Sequence, residues 1–344
     1  MTAPTEGPGT GHSGRSWFIS VLTVAALVGV VLHFGEVETF LQLLARAHPL
    51  WLAVAILLQL STYVSVASGW SAVLRRAGSP QPFGKLLRIA ITKLFADQAV
   101  PSAGMGGNVL LVDQLMALGS ARGTAVAVLL ISMIGYYAAY AVLAIAMLFI
   151  LWLHDRATVF MAGLVTSFLL VALAIPSLAL WLRQRGSRPL PPRLEHIGVV
   201  RSLLETVAQA PSALLRDRPL LCMVALYNGL IFLADAASLF ACLLALDQPV
   251  GFGTAFIALI MASIVVTLGP VPLGLGSFEA TSTTTLHLLG VPVEAAFAAT
   301  MLLRILTLWL PLLPGVVLLQ WTQTKTRNHR SEMTASSSET DRPG

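Results

Sequence analysis

The sequence predicts an all-α polytopic membrane protein with about six full spans plus two opposed re-entrant helical hairpins in an inverted-repeat arrangement. Three observations carry this. The 344-residue chain is 56% hydrophobic and only 11% charged, with a mean hydropathy of +0.80, whereas a soluble domain is about 45–50% apolar and about 25% charged. Continuous apolar stretches recur at about 20 residues, the length that crosses a bilayer core of about 30 Å. Two further apolar stretches carry a Pro/Gly-rich break in the middle. A soluble enzyme, a disordered chain, a collagen and a disulfide scaffold are excluded. Continuous rather than alternating apolar runs argue against a β-barrel.

Residues 1–15, rich in Gly, Ser, Thr and Pro, are expected to form a disordered cytoplasmic N-terminus, and 322–344 a similar cytoplasmic tail. Between them, 16–321 reads as one transmembrane domain. Ser16–Phe34 follows Arg15 and has no A-x-A-like site after it, so it reads as a retained signal-anchor helix. Glu36–His48 reads as a short amphipathic interfacial helix and Leu50–Leu74 as the second span. Gly123–Leu153 and Ala157–Leu182 form a hairpin around His154-Asp155-Arg156. Pro191–Asp217 reads as a longer interfacial helix whose Arg193, Arg201 and Arg216 can snorkel. Leu220–Leu246 and Val293–Trp321 complete the spans.

The broken segments are Lys85–Gly119, with VPSAGMGGN at Val100–Asn108, and Gly253–Gly290, with VPLGLGSFE at Val271–Glu279. Pro101 and Pro272 remove backbone donors and the glycines favour non-helical backbone, so both act as structural breaks. Each half-helix is about 15 residues, or about 22 Å, too short to cross alone.

Charge parity places these segments. The loop after the second span holds Arg75, Arg76, Lys85 and Arg88 without an acid. The loop Arg183–Arg218 holds seven Arg against Glu195, Glu205 and Asp217, and Lys325, Arg327 and Arg330 follow the last span. All three regions should be cytoplasmic. That requires 85–119 to enter from the cytoplasm and return, and 253–290 to enter from outside and return. Both termini are then cytoplasmic, and the two halves have opposite topology. Breaks at corresponding positions of inverted halves point to a midplane substrate site. The net charge of +5 and pI near 9.6 reflect this orientation signal rather than a nucleic-acid stripe. Cys222 and Cys242 lie on one expected helix, about 30 Å apart at 1.5 Å per residue, too far to bridge.

Charge inside the membrane is a functional signal by default. Lys93 and Asp97, spaced i,i+4, have two roles open: a neutralised structural pair, or a headgroup, coupling or gating contact beside Pro101. Asp113 reads as solvated near the cytoplasmic mouth. Asp235 is a coupling or gating group. Glu279 starts a half-helix, where the dipole favours a carboxylate; a structural cap and a site role are both open. Thr281–Thr285 are unusually polar for a bilayer segment and suggest a helix lining a wet cavity. Arg304, about a third of the way into the last span, needs an inward partner: an anion, Glu279 or Asp235. Both a substrate phosphate contact and a structural ion pair remain open to it. The half-helices after Gly106 and Gly276 begin near the midplane with free N–H groups, which makes an anion site. Gly104, Gly106, Gly107, Gly274 and Gly276 permit close backbone approach to a ligand, with Asn108 and Ser277 beside them; tight helix packing is the ordinary alternative. No metal cluster, nucleotide motif, nucleophile motif or cofactor signature occurs, so no cofactor or metal is expected.

At these residues the chain resembles a known family. VPSAGMGGN, VPLGLGSFEAT and GVPVEAAFAATMLLRILTLWLPLLPG look like the transmembrane region of lysylphosphatidylglycerol synthases, a broad flippase-like family. Pro272, Gly274, Gly276, Glu279 and Arg304 match its pattern. The first motif departs from it: Asn108 stands where related chains often carry an acid, and Leu110, Leu111 and Val112 follow where relatives carry an Arg. The resemblance implies movement of an anionic lipid or lipid-linked intermediate between leaflets, in a bacterial cytoplasmic membrane, with a membrane lipid and a coupling ion as partners. It implies no lysyl transfer, since the chain ends soon after the last span. An alternative is a membrane-embedded transferase or accessory subunit acting on polyprenyl-linked sugars, with Asp97, Asp113 and Glu279 as its acids.

Overall fold

The computed structural model describes residues 47–99, 105–154, 158–185, 211–269, 271 and 274–309. These form helices α1 (Pro49–Arg76), α2 (Phe83–Ala99), α3 (Met105–Ala117), α4 (Arg122–Leu153), α5 (Val159–Arg185), α6 (Ser212–Arg216), α7 (Arg218–Ala245), α8 (Phe252–Leu268), α9 (Ser277–Leu288) and α10 (Val293–Arg304), the last running into a π-helical turn at Ile305–Trp309. There is no strand among the described residues. The expected first span Ser16–Phe34, nearly all of the interfacial segment Glu36–His48, and the chain beyond Trp309 lie outside the described residues. So do Pro101, Gly104 and Pro272. Of Pro191–Asp217 only the end is described, and it holds the five-residue α6.

Helices α1, α4 and α7 are long and apolar enough to cross a membrane. Their outward faces confirm the solvent. Val142, Ile145, Phe149 and Trp152 of α4, and Met223, Leu226, Leu230 and Leu233 of α7, are exposed at helical spacing. A water-soluble protein does not display such continuous apolar stripes. Helix α5 is 27 residues long, and its described apolar stretch is Val159–Ala174.

The organising contact is a long seam between α1 and α7. His48 N donates to the Ala245 carbonyl at one end, and Arg76 pairs with Asp217 at the other. Between them Ser238 Oγ donates to the Ala55 carbonyl, and Gly69 lies against the Tyr227 Cβ position. Numbers fall on one helix as they rise on the other, so α1 and α7 are antiparallel. Helix α4 runs parallel to α7: a Cβ on Gly135 would lie 2.9 Å from Val224 Cγ1 and 3.1 Å from the Ala225 nitrogen. Gly135 therefore lets two backbones approach, as small residues do in membrane bundles. Higher on the same contact, Tyr140 is fully buried with its ring 4.1 Å from Phe168 of α5 and 4.7 Å from Phe232 of α7. Such aromatic pairs add about 0.5–1.5 kcal/mol each beyond area burial.

The broken segments pack as helical pairs. Helices α2 and α3, of 17 and 13 residues, pack on each other, as do α8 and α9, of 17 and 12. At 1.5 Å per residue these are about 18–26 Å long, shorter than a bilayer core of about 30 Å. The two ends of the α2–α3 pair are tied together: Ser79 Oγ lies 3.3 Å from Ser120 Oγ, and Gln81 donates to the Leu118 carbonyl at 3.2 Å. Leu86, Ile89, Leu111 and Leu115 of this pair join a core with Trp70 and Leu74 of α1, Val126 and Ile131 of α4, and Leu220 and Val224 of α7. Because α1 and α7 are antiparallel, α2 begins at one end of the seam and α8 at the other.

Candidate functional site

At the second break the backbone is held open by two glycines. Gly274 has φ 63° and Gly276 φ 81°, the left-handed region that other residues enter at a cost. A Cβ on Gly274 would also overlap the Val266 side chain of α8. Gly274 is thus needed for conformation and for space, whereas Gly276 has no atom within 4 Å of a built Cβ. Ser277 Oγ closes the turn on the Gly274 carbonyl at 3.1 Å. Glu279 is the third residue of α9, and its Oε2 accepts the Gly276 N–H at 2.7 Å. Its other oxygen accepts from Arg304 Nε at 2.6 Å. The Arg304 guanidinium also lies 4.9 Å from the centroid of the Phe278 ring, within cation–π range. Both side chains of the ion pair are mostly buried, 12% and 15% exposed. Arg304 sits where α10 passes into the π turn.

The polar run of α9 divides between two surroundings. Ser282 is buried and its hydroxyl lies 2.9 Å from Thr300 of α10, while Thr284 is exposed. Part of the run therefore joins helices rather than facing a cavity.

At the first break, Lys93 Nζ donates to Asp97 Oδ2 at 2.6 Å. The same carboxylate lies against the backbone of Gly107 in the first turn of α3, so closely that a Cβ there would overlap it. Asp97 Oδ1 is buried with no hydrogen-bond partner among the described residues. Asn108, the next residue, is half-buried, and Gly106 precedes them on the same turn. Asp113 is exposed further along α3.

Asp235 belongs to neither break. It lies on the α1–α7 seam, where Gln59 Nε2 donates to its Oδ1 at 2.8 Å and reaches Ser238 Oγ at 3.2 Å. The structure pairs Arg304 with Glu279. Gln59, Phe278, Val266 and Ser238 were not singled out from sequence. Gln59 alone had a visible signal, an amide inside an otherwise apolar span.

Comparison with known proteins agrees with the architecture. The family described as Lysylphosphatidylglycerol synthase TM region matches residues 17–315. A UPF0104 membrane protein of Pyrococcus horikoshii is 21% identical over 324 residues, covering 88% of this chain and 96% of that protein.

Proposed function

The chain belongs to the lysylphosphatidylglycerol synthase TM-region family, and from that premise we propose that it moves an anionic lipid or lipid-linked intermediate between leaflets. The observation that carries the reading is Arg304. A guanidinium deep in an apolar bundle is costly, and here it is aimed at the opening turn of α9, where backbone N–H groups and the helix dipole favour an anion. Glu279 occupies that place as an internal anion. A phosphate headgroup presents the same charge and can take two parallel bonds from the guanidinium. Exchange of phosphate for Glu279 frees the carboxylate and is the gating event. Acyl or polyprenyl chains remain in lipid, because the exposed faces of the helices are apolar.

In this reading α2–α3 and α8–α9 are re-entrant hairpins, one from each side, meeting near the midplane. Their short lengths and their departure from opposite ends of the antiparallel seam support an inverted repeat. Asn108, Gly106 and Gly107 with the Lys93–Asp97 pair form the cytoplasmic half of the groove. The protein sits in a bacterial cytoplasmic membrane with both termini cytoplasmic, as the arginine-rich loops favour.

The test is reconstitution in liposomes of native lipid extract, following headgroup accessibility of labelled anionic lipids. We expect fast translocation that falls at least about 100-fold in Arg304→Ala, the loss of one charge-assisted contact of about 3 kcal/mol. Translocation equal to wild type in that variant removes Arg304 from the path. No translocation of any lipid favours a membrane-embedded transferase acting on polyprenyl-linked sugars.

A further inference from the structure

From the seam cluster we infer that Asp235 is a proton-binding site, separate from the headgroup site, through which transport is coupled to protons. The inference rests on the transport reading above. Asp235 lies ten residues before Ala245, the end of α7, or about 15 Å along the helix. No Lys, Arg or His pairs with it among the described residues. Among the described residues its one hydrogen-bond donor is the neutral amide of Gln59, itself 3% exposed and also tied to Ser238, which is fully buried. A part-buried carboxylate held between apolar helices by a neutral donor alone is costly as an anion, and the cheapest neutralisation is a proton.

The surroundings fit a proton better than a metal ion. Gln59 presents N–H, a donor, to the carboxylate, which directs its positive end to where a metal ion would have to sit. A protonated carboxyl needs only an acceptor. Tyr63, one turn along α1 from Gln59, has a buried hydroxyl with no hydrogen-bond partner among the described residues. The other elements packed on α7 add little charge. Helix α8 has no ionisable side chain at all. Helix α4 offers Tyr136, Tyr137 and Tyr140 besides Arg122 at its start. Helix α6 has only Arg216. Helix α10 carries Glu294 in its first turn and Arg304, which is engaged by Glu279. Helix α1 carries Tyr63, with His48 and Arg75 and Arg76 at its ends. The step is a single addition, carboxylate plus proton giving carboxylic acid. Because Gln59 and Asp235 bridge the two helices of the seam, the charge state bears directly on the α1–α7 contact.

Two measurements on the full chain in lipid test this. The first is an infrared pH titration. We expect a carboxylic-acid carbonyl band that titrates reversibly in wild type, vanishes in Asp235→Asn and returns in Asp235→Glu. Identical titrations of wild type and Asp235→Asn overturn the site. The second is the steady-state leaflet distribution of a labelled anionic lipid under an imposed pH gradient. One proton per headgroup biases it about tenfold per pH unit, and Asp235→Asn abolishes the bias. A bias retained in Asp235→Asn, one that follows sodium instead, or complete loss of translocation in that variant overturns coupling at Asp235. Absence of translocation in wild type, with the infrared band intact, overturns the transport reading and the coupling but leaves the proton site.

Discussion

The two breaks reach one chemical arrangement by different routes. At the second, the carboxylate belongs to the helix it caps: Glu279 is the third residue of α9, and its cation, Arg304, arrives from α10. At the first, the third residue of α3 is Gly107, and the carboxylate comes from the preceding helix as Asp97, with Lys93 from that same helix as its cation. A carboxylate, a cation and the opening turn of a half-helix meet in both. The second arrangement links two helices and closes both carboxylate oxygens. The first is a local i,i+4 pair with Oδ1 left over. The difference teaches that similar letters in the two Pro/Gly motifs do not imply similar stability. One break is clamped, the other is only neutralised.

The largest expected effect separates them. Arg304→Ala leaves a buried Glu279 unpaired and should cost about 3–5 kcal/mol, read as a fall in thermal midpoint in detergent. Lys93→Ala should cost less, about 1–3 kcal/mol, because the pair is local to one helix although it is only about one-fifth exposed. Equal losses would break the comparison. Next, Gly274→Ala meets both a left-handed φ and the Val266 side chain, for about 2–4 kcal/mol. Gly276→Ala meets φ alone, about 1–2 kcal/mol. If Gly276→Ala proves the costlier, the turn is not held by space as described. Gly107→Ala should cost about 1–3 kcal/mol by displacing the Asp97 carboxylate, and that loss should shrink in an Asp97→Ala background.

The smallest effect comes from a reference outside the membrane. Asp217 N-caps α7, accepting the Leu220 N–H at 3.2 Å, and pairs with Arg76 at 2.5 Å. It is the same trio of carboxylate, helix start and cation, here with an exposed cation, since Arg76 is 63% exposed. The Arg76 hydrogen bond, followed by the backbone N–H, holds its pKa below the ordinary 3.8. A carboxylate depressed on folding contributes stability above its unfolded pKa and loses it as pH falls through the folded one. Acidification below about pH 3.8 should therefore destabilise wild type slightly more than Asp217→Asn, a difference that paired melts would measure. An identical acid response of the two proteins would show that this trio is inert.

Much of the scaffold was legible because its signals are local. The second span was expected at Leu50–Leu74 and forms Pro49–Arg76, started by a proline at its first turn and ending in Arg75 and Arg76, which prefer water. The glycines of VPLGLGSFE pointed to a turn, and Glu279 at the start of a half-helix left a cap and a site role both open; its Oε2 accepts the Gly276 N–H. What stayed hidden was pairing at a distance. Arg304 had three acceptable partners, and only packing of α9 on α10 selects Glu279. The Asp97 contact with Gly107 depends on how two helices close, which no spacing reveals. Gln59 looked like a stray polar residue because its partner is far along the chain. The last span was expected to continue as one helix from Val293, and its α geometry instead gives way at Ile305.

The seam also sets a schedule. Gln59 and Asp235 are 176 residues apart. With synthesis at roughly 5–20 residues per second, the first waits on the order of 10–35 s for the second to be made. Through that interval α1 rests in lipid with its amide facing no permanent partner, and the half that carries it cannot be finished alone. Birth of α7 is the moment of completion. A ribosome that stalls between the two halves leaves a membrane intermediate whose exposed amide invites quality control.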